Sequence, residues 1–184
     1  MTTIVDGTTG ITFPSTISGV SATQQYSGRI LQVVSAAKTD TQSTSLQAWV
    51  DVTGLSVSIT PTSATSKMLV IVDVQGSGSN RYSAIRVVRN GTAVGVGDTS
   101  GSRASVLSGF GLDTDANATY VYVLYNAGGS FLDSPSSTSA QTYKVQFGAT
   151  NVAATTYINR TENDSNESYS LRGISTITVM EIAA

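Results

Sequence analysis

Apolar and polar residues alternate along much of this chain, as in Leu55-Ser56-Val57-Ser58-Ile59 and Tyr143-Lys144-Val145-Gln146-Phe147. A period of two places the apolar side chains on one face of a pleated strand and the hydroxyls, amides and charges on the other. Almost nothing follows a helical period, so the pattern predicts an all-β chain, an antiparallel β-sandwich. From Gly28 on it predicts strands over Ile30 to Ser35, Gln47 to Val52, Leu55 to Thr60, Lys67 to Gln75, Tyr82 to Arg89 and Thr92 to Val96. Further strands are expected over Ala104 to Phe110, Thr119 to Tyr125, Tyr143 to Ala149, Thr155 to Asn159 and Ile174 to Ile182. Asn90-Gly91 between two of these is a strong hairpin signal, because a type I′ turn needs positive φ at both central positions. Gly128-Gly129 and Ser134-Pro135-Ser136-Ser137-Thr138 read as loops.

Two runs break the alternation by being apolar on both faces, Met68-Leu69-Val70-Ile71-Val72 and Tyr120-Val121-Tyr122-Val123-Leu124-Tyr125. One face of a sandwich strand is ordinarily wet. Either loops cover these outer faces or another subunit does, and Tyr120, Tyr122 and Leu124 are the candidate interface residues. Residues 1–27 differ from the rest: single apolar residues stand between glycines and a proline, too sparse to close a core. They are either a disordered leader or, the expected case, an N-terminal anchor or stem that orders against another protein or against copies of itself. Ile4, Ile11, Phe13, Pro14 and Ile17 are the candidate contacts, and residues 28–184 form the head. The closing strand, Ile177 to Ile182 followed by two alanines, suits a terminal knob.

Composition narrows the function more by exclusion than by motif. The chain has 184 residues, roughly three in ten of them Ser or Thr, with 12 % charged, no Cys and no His. That removes Ser-His-Asp and Cys-His nucleophile schemes and the common zinc sites. A net charge of −2 leaves no basic stripe for a phosphate backbone, so nucleic acid is not an expected partner. Arg81 and Arg89 share a strand parity while Arg86 faces the other way, so these three do not form one patch. No apolar stretch approaches the ~20 residues of a membrane-crossing helix, and the N-terminus lacks the basic and apolar regions of a signal peptide. Ser66-Lys67 would point to opposite faces of a strand, a poor nucleophile-base pair. The acids lie mostly at turns, where they hydrogen-bond their own backbone. Asp113-Thr114-Asp115-Ala116-Asn117-Ala118-Thr119 opens like a calcium loop, but lacks the glycine at the sixth position and has Leu124 where a bidentate Glu belongs. It reads as an acidic turn, and Glu162 to Glu167 as a solvated loop. No catalytic residue, metal site or cofactor is expected. For glycan binding the candidate aromatics are Trp49, Tyr82, Tyr157 and Tyr169, with core packing the expected role of Trp49.

Several segments resemble a domain of tailed-bacteriophage virion proteins of tail-fibre or spike type, notably from aquatic and cyanobacterial phages. They are Gly28-Arg29-Ile30-Leu31-Gln32-Val33-Val34-Ser35, Asp51-Val52-Thr53-Gly54-Leu55 through Pro61, Val88-Arg89-Asn90-Gly91-Thr92, Ser130-Phe131-Leu132-Asp133-Ser134-Pro135 and Ser175 through Glu181. The leader Gly7-Thr8-Thr9-Gly10-Ile11-Thr12-Phe13-Pro14 is similar to the segment that often precedes such domains, though Ser15 stands where an acidic residue commonly follows the Phe-Pro pair. The resemblance implies a jelly-roll-like head and a homotrimer. It implies attachment to another virion protein through the N-terminal segment, and a host-surface glycan or protein as ligand. A capsid decoration protein of the same fold, or a glycan-binding lectin module, are the alternatives.

Overall fold

A computed structural model describes the backbone of residues 4–6 and 10–12 and, with side chains, residues 27–79, 82–110, 121–151 and 154–184. Every regular element among them is a strand. The N-terminal segment contributes β1 (Ile4–Asp6) and β2 (Gly10–Thr12), which pair antiparallel with Val5 opposite Ile11. Phe13, Pro14 and Ile17 lie outside the described residues.

The head consists of two antiparallel sheets. The first holds β3 (Ile30–Lys38), β4 (Gln42–Thr44), β6 (Lys67–Gly78), β10 (Tyr125–Asp133), β12 (Thr156–Ile158) and β13 (Ser175–Ile182). The second holds β5 (Val50–Ile59), β7 (Ser83–Arg89), β8 (Thr92–Val94), β9 (Ser108–Gly109) and β11 (Gln141–Ala149). Setting aside the short β4, β9 and β12, the sheets run β3-β13-β6-β10 and β5-β11-β7-β8. Eight strands that cross between two sheets in this order form a jelly roll. Val52, Leu55, Val57, Ile59, Val70, Val72, Val74, Ile85, Val87, Tyr143, Val145, Phe147, Ile177 and Val179 fill the space between the sheets, the inward set that alternation predicts. Among the described residues no helix is long and apolar enough to cross a membrane.

The departures from the expected strands have local causes. Gln47 to Thr60 is one strand from Val50, not two. Val52 and Leu55 are both buried although they stand three apart, which regular pleating forbids. A bulge at Thr53-Gly54, with Gly54 at φ +90°, restores the inward direction and shifts the β5–β11 register between Lys144 and Gln146. The side chain of Gln42 seals this bulge, donating to the Asp51 carbonyl at 2.9 Å and accepting from the Thr53 N–H at 2.8 Å.

Of the strand expected over Thr119 to Tyr125, residues 121–124 lie outside any strand; β10 begins at Tyr125 and runs on to Asp133, through the glycines that read as a loop. Those glycines belong there because β10 lies flush against β6. A Cβ on Gly128 would strike the Val72 carbonyl, and one on Gly129 would crowd Leu107. Pairing of Gly128 with Asp73 and of Leu132 with Leu69 then makes the strand, not its own propensity. The Asn90-Gly91 turn is as expected, with φ of 48° and 89°, joining β7 to β8.

Candidate functional site

The outer face of the second sheet carries the most organised polar surface among the described residues. Register brings it together: Gln146 of β11 stands between Arg86 of β7 and Asp51 of β5, and Lys144 stands one step along beside Val88. All of these share the parity opposite to the buried Val52, Val87, Val145 and Phe147. Trp49, immediately before β5, has the parity of Asp51 and falls on the same outer face. It is half-buried and lies outside the core cluster, so the expected core role for it is corrected. Its neighbour Val50 is the residue that packs inward.

The side chains form a directional chain. The Arg86 guanidinium lies over the indole ring with Cζ 4.5 Å from its centroid. Arg86 Nε donates to Gln146 Oε1 at 2.8 Å, and Gln146 Nε2 donates to Asp51 Oδ1 at 2.7 Å. Lys144 Nζ donates to the second carboxylate oxygen of Asp51 at 2.9 Å. The Gln146 amide first, and Lys144 after it, hold the Asp51 carboxyl below its ordinary value, so it is an acceptor throughout the neutral range. Burial lowers the Arg86 guanidinium somewhat, yet leaves it a cation at any physiological pH. Beyond Lys144 the face dips into a hollow of about 400 Å³, lined by Asp51, Val88, Asn90, Gly91, Thr142, Lys144 and Gln146. Asn90 is fixed at its rim. Its side-chain oxygen accepts from the Thr142 N–H at 2.9 Å, and its amide donates to Gln141 Oε1 at 3.0 Å.

An indole beside a guanidinium, an amide and a carboxylate suits a polyhydroxylated ligand. Arg86 covers one face of the indole; the part of the ring it leaves open can take the C–H face of a sugar, while the amide and the charged groups can donate to and accept from vicinal hydroxyls. The row is held in place by its own hydrogen bonds before any ligand arrives, which lowers the ordering cost of binding. Sequence reasoning missed it in part. Trp49 and Asp51 could be assigned to one face by counting in twos, but nothing local shows that Arg86 and Gln146 stand beside them.

The other candidates are placed as follows. Tyr122 and Leu124 lie in the approach to β10 and Tyr120 is outside the described residues. The Tyr122 hydroxyl accepts from Asn163 Nδ2 at 3.0 Å, and its ring meets Tyr169 edge-on at 4.6 Å. Tyr122 therefore packs on the loop between β12 and β13, within the same chain. Tyr157 carries the Arg160 guanidinium at 4.3 Å. Tyr82 lines a second hollow of about 640 Å³ with Ser102, Arg103, Thr150 and Asn151. Arg86 and Arg89 face opposite ways as expected, Arg89 pairing with Asp133 toward the inside. Ser66 is buried whereas Lys67 reaches outward to the Ser134 hydroxyl at 2.8 Å, so these neighbours diverge. In the loop of Glu162 to Glu167, Asp164 is taken up by Arg160 at 3.0 Å and Arg172 at 2.7 Å. Among the described residues no group of three or more acidic side chains converges as a metal site would require, and the Asp113 to Thr119 segment lies outside them apart from this. No protein-family model and no curated protein matches the chain. The functional reading therefore rests on the surface and on the sequence resemblance.

Proposed function

We propose that this protein is a structural, non-enzymatic component of a bacteriophage virion, a short tail fibre or spike whose jelly-roll head attaches to the host surface. The ligand is a surface glycan, bound on the outer face of the second sheet. The virion setting comes from the sequence resemblance. Jelly rolls serve both in capsids and in lectins, so the fold agrees with this setting without selecting it. One observation carries the attachment reading: the row Trp49, Arg86, Gln146, Asp51, Lys144, which sets an aromatic ring beside preorganised donors and acceptors on a solvent-facing sheet. A shallow face of this kind binds each sugar weakly, and attachment becomes firm through many copies on one particle.

The test is binding of the folded chain to host-surface polysaccharide by calorimetry or on immobilised glycans. Trp49→Ala is expected to weaken binding about tenfold or more, as loss of a central aromatic does, and Lys144→Ala to weaken it less. Stability should fall by about 1–2 kcal/mol, because Trp49 is half-buried under Arg86, and the variant remains folded. Binding that ignores both substitutions overturns the assignment of this face. Release of reducing ends from the polysaccharide overturns the non-enzymatic reading.

A further inference from the structure

The outer face of the first sheet carries one apolar row, flanked by a row in which Ser35, Thr178 and Ser130 accompany Ile71. Val33 of β3 pairs with Met180 of β13, Met180 with Leu69 of β6, and Leu69 with Leu132 of β10. These four outward side chains form one unbroken row across the sheet. Val33 is 53 % exposed and Leu132 is 64 % exposed, and Ile71 extends the patch along β6. Contiguous exposed apolar surface on a sandwich marks an interface more often than chance. Among the outward positions of these four strands in the described residues, only Lys67 and Asp73 are ionisable. They sit at the two ends of the β6 row Lys67, Leu69, Ile71, Asp73, both exposed.

We propose that this face is where a second copy of the chain docks, sheet against sheet with the strands antiparallel. The charges choose the occupant and its direction. A copy laid antiparallel puts Lys67 over the partner's Asp73 and Leu69 over the partner's Ile71, a self-complementary two-fold contact. A parallel copy would set like charges opposite each other, as would a threefold bundle with these strands along its axis. The sequence resemblance implies three copies; the charges on this face favour two. Six residues of strand by four strands spans about 20 Å each way, smaller than the ~800 Å² per partner of a standard interface. The pairing is therefore modest and concentration-dependent. It leaves the Trp49 face of both copies outward, and it stands apart from the attachment reading.

Sedimentation equilibrium of the full chain, from micromolar to near-millimolar concentration, tests it. The mass is expected to rise from the 19.0 kDa of one chain toward twice that value. Leu132→Asp and Lys67→Asp should each weaken association at least tenfold. The charge exchange Lys67→Asp with Asp73→Lys should restore it, a recovery that a folding defect could not produce. Ser58→Asp, exposed on the other sheet, should change nothing. Since the chain has no cysteine, Leu132→Cys adds a second readout: its thiol should become protected from modification as the mass rises. A chain that stays monomeric, a threefold mass, or association indifferent to Leu132→Asp and to the charge exchange overturns the proposal. A monomer with a protected thiol at position 132 would mean that the chain's own N-terminal segment covers the face. Glycan binding by a monomer refutes this pairing alone, and pairing without glycan binding refutes the attachment reading alone.

Discussion

Glu181→Gln is expected to cost about 3 kcal/mol and to flatten the acid end of the stability profile. Glu181 lies on β13 and is fully buried, and among the described residues it belongs to none of the ion pairs. Its carboxylate is held by donors instead: the Thr62 N–H at 2.7 Å, the Thr62 hydroxyl at 2.7 Å and Gln32 Nε2 at 2.6 Å. Burial by itself would raise this carboxyl, but the hydrogen bonds from Thr62, Ser66 and Gln32 together outweigh it and bring the group down to about 2 from 4.5. A depressed carboxyl stabilises the fold fully above the unfolded value and loses that contribution as pH falls. The window here is from about 4.5 down to about 2, and the loss across it is on the order of 3 kcal/mol. An amide in its place cannot accept from all three donors, so at least one is left buried and unpaired. Urea unfolding of both forms at pH 7, 4, 3 and 2 checks this. The wild type should converge on the variant as the pH drops; parallel curves would show that Glu181 titrates alike in the folded and unfolded states, so that its carboxyl is not held down by the fold.

Asp133→Ala should be the most damaging single change among the polar residues, at about 3–5 kcal/mol. Asp133 closes β10 in the first sheet, while Arg89 and Tyr143 belong to β7 and β11 in the second. Its Oδ2 accepts from Arg89 Nη1 and, at 2.7 Å, from the Tyr143 hydroxyl. The three side chains tie the sheets together at one end of the core. Burial first, and then the Asp133 carboxylate, push the Tyr143 phenol up, so it stays a donor. Removing the acid strands a largely buried guanidinium, which is what makes breaking such a pair expensive. Tyr143→Phe removes only a hydroxyl and should cost about 1 kcal/mol. A double-mutant cycle on Asp133 and Tyr143 should therefore give a coupling energy well above the error of chemical denaturation. Additive losses would mean that the two residues act independently.

Much of this architecture was legible in the sequence, for a local reason. Strand pleating alternates side chains regardless of what lies next door, so Leu55-Ser56-Val57-Ser58-Ile59 reveals its buried face without any knowledge of its neighbours. The Asn90-Gly91 turn is likewise set by the backbone of two residues. Where neighbours matter, reading by period fails. Gly128 and Gly129 have poor strand propensity and are in a strand because β6 lies against them, and Thr53-Gly54 looked like a break because a bulge interrupts the count.

The candidate site shows the same division more sharply. Counting in twos places Trp49 with Asp51, and Lys144 with Gln146, on outward faces. Arg86 is 60 positions from Gln146, and Gln146 is 95 from Asp51. Only the jelly-roll order, with β11 between β5 and β7, makes them one row. The apolar row Val33, Met180, Leu69, Leu132 is assembled in the same way from four separate strands. By itself the sequence determined the all-β class, which side of each regular strand is buried, and the lack of histidine and thiol chemistry. Tertiary structure alone decided which outward side chains stand together. Strand order is chosen by how the whole core closes, and outward residues take no part in that choice.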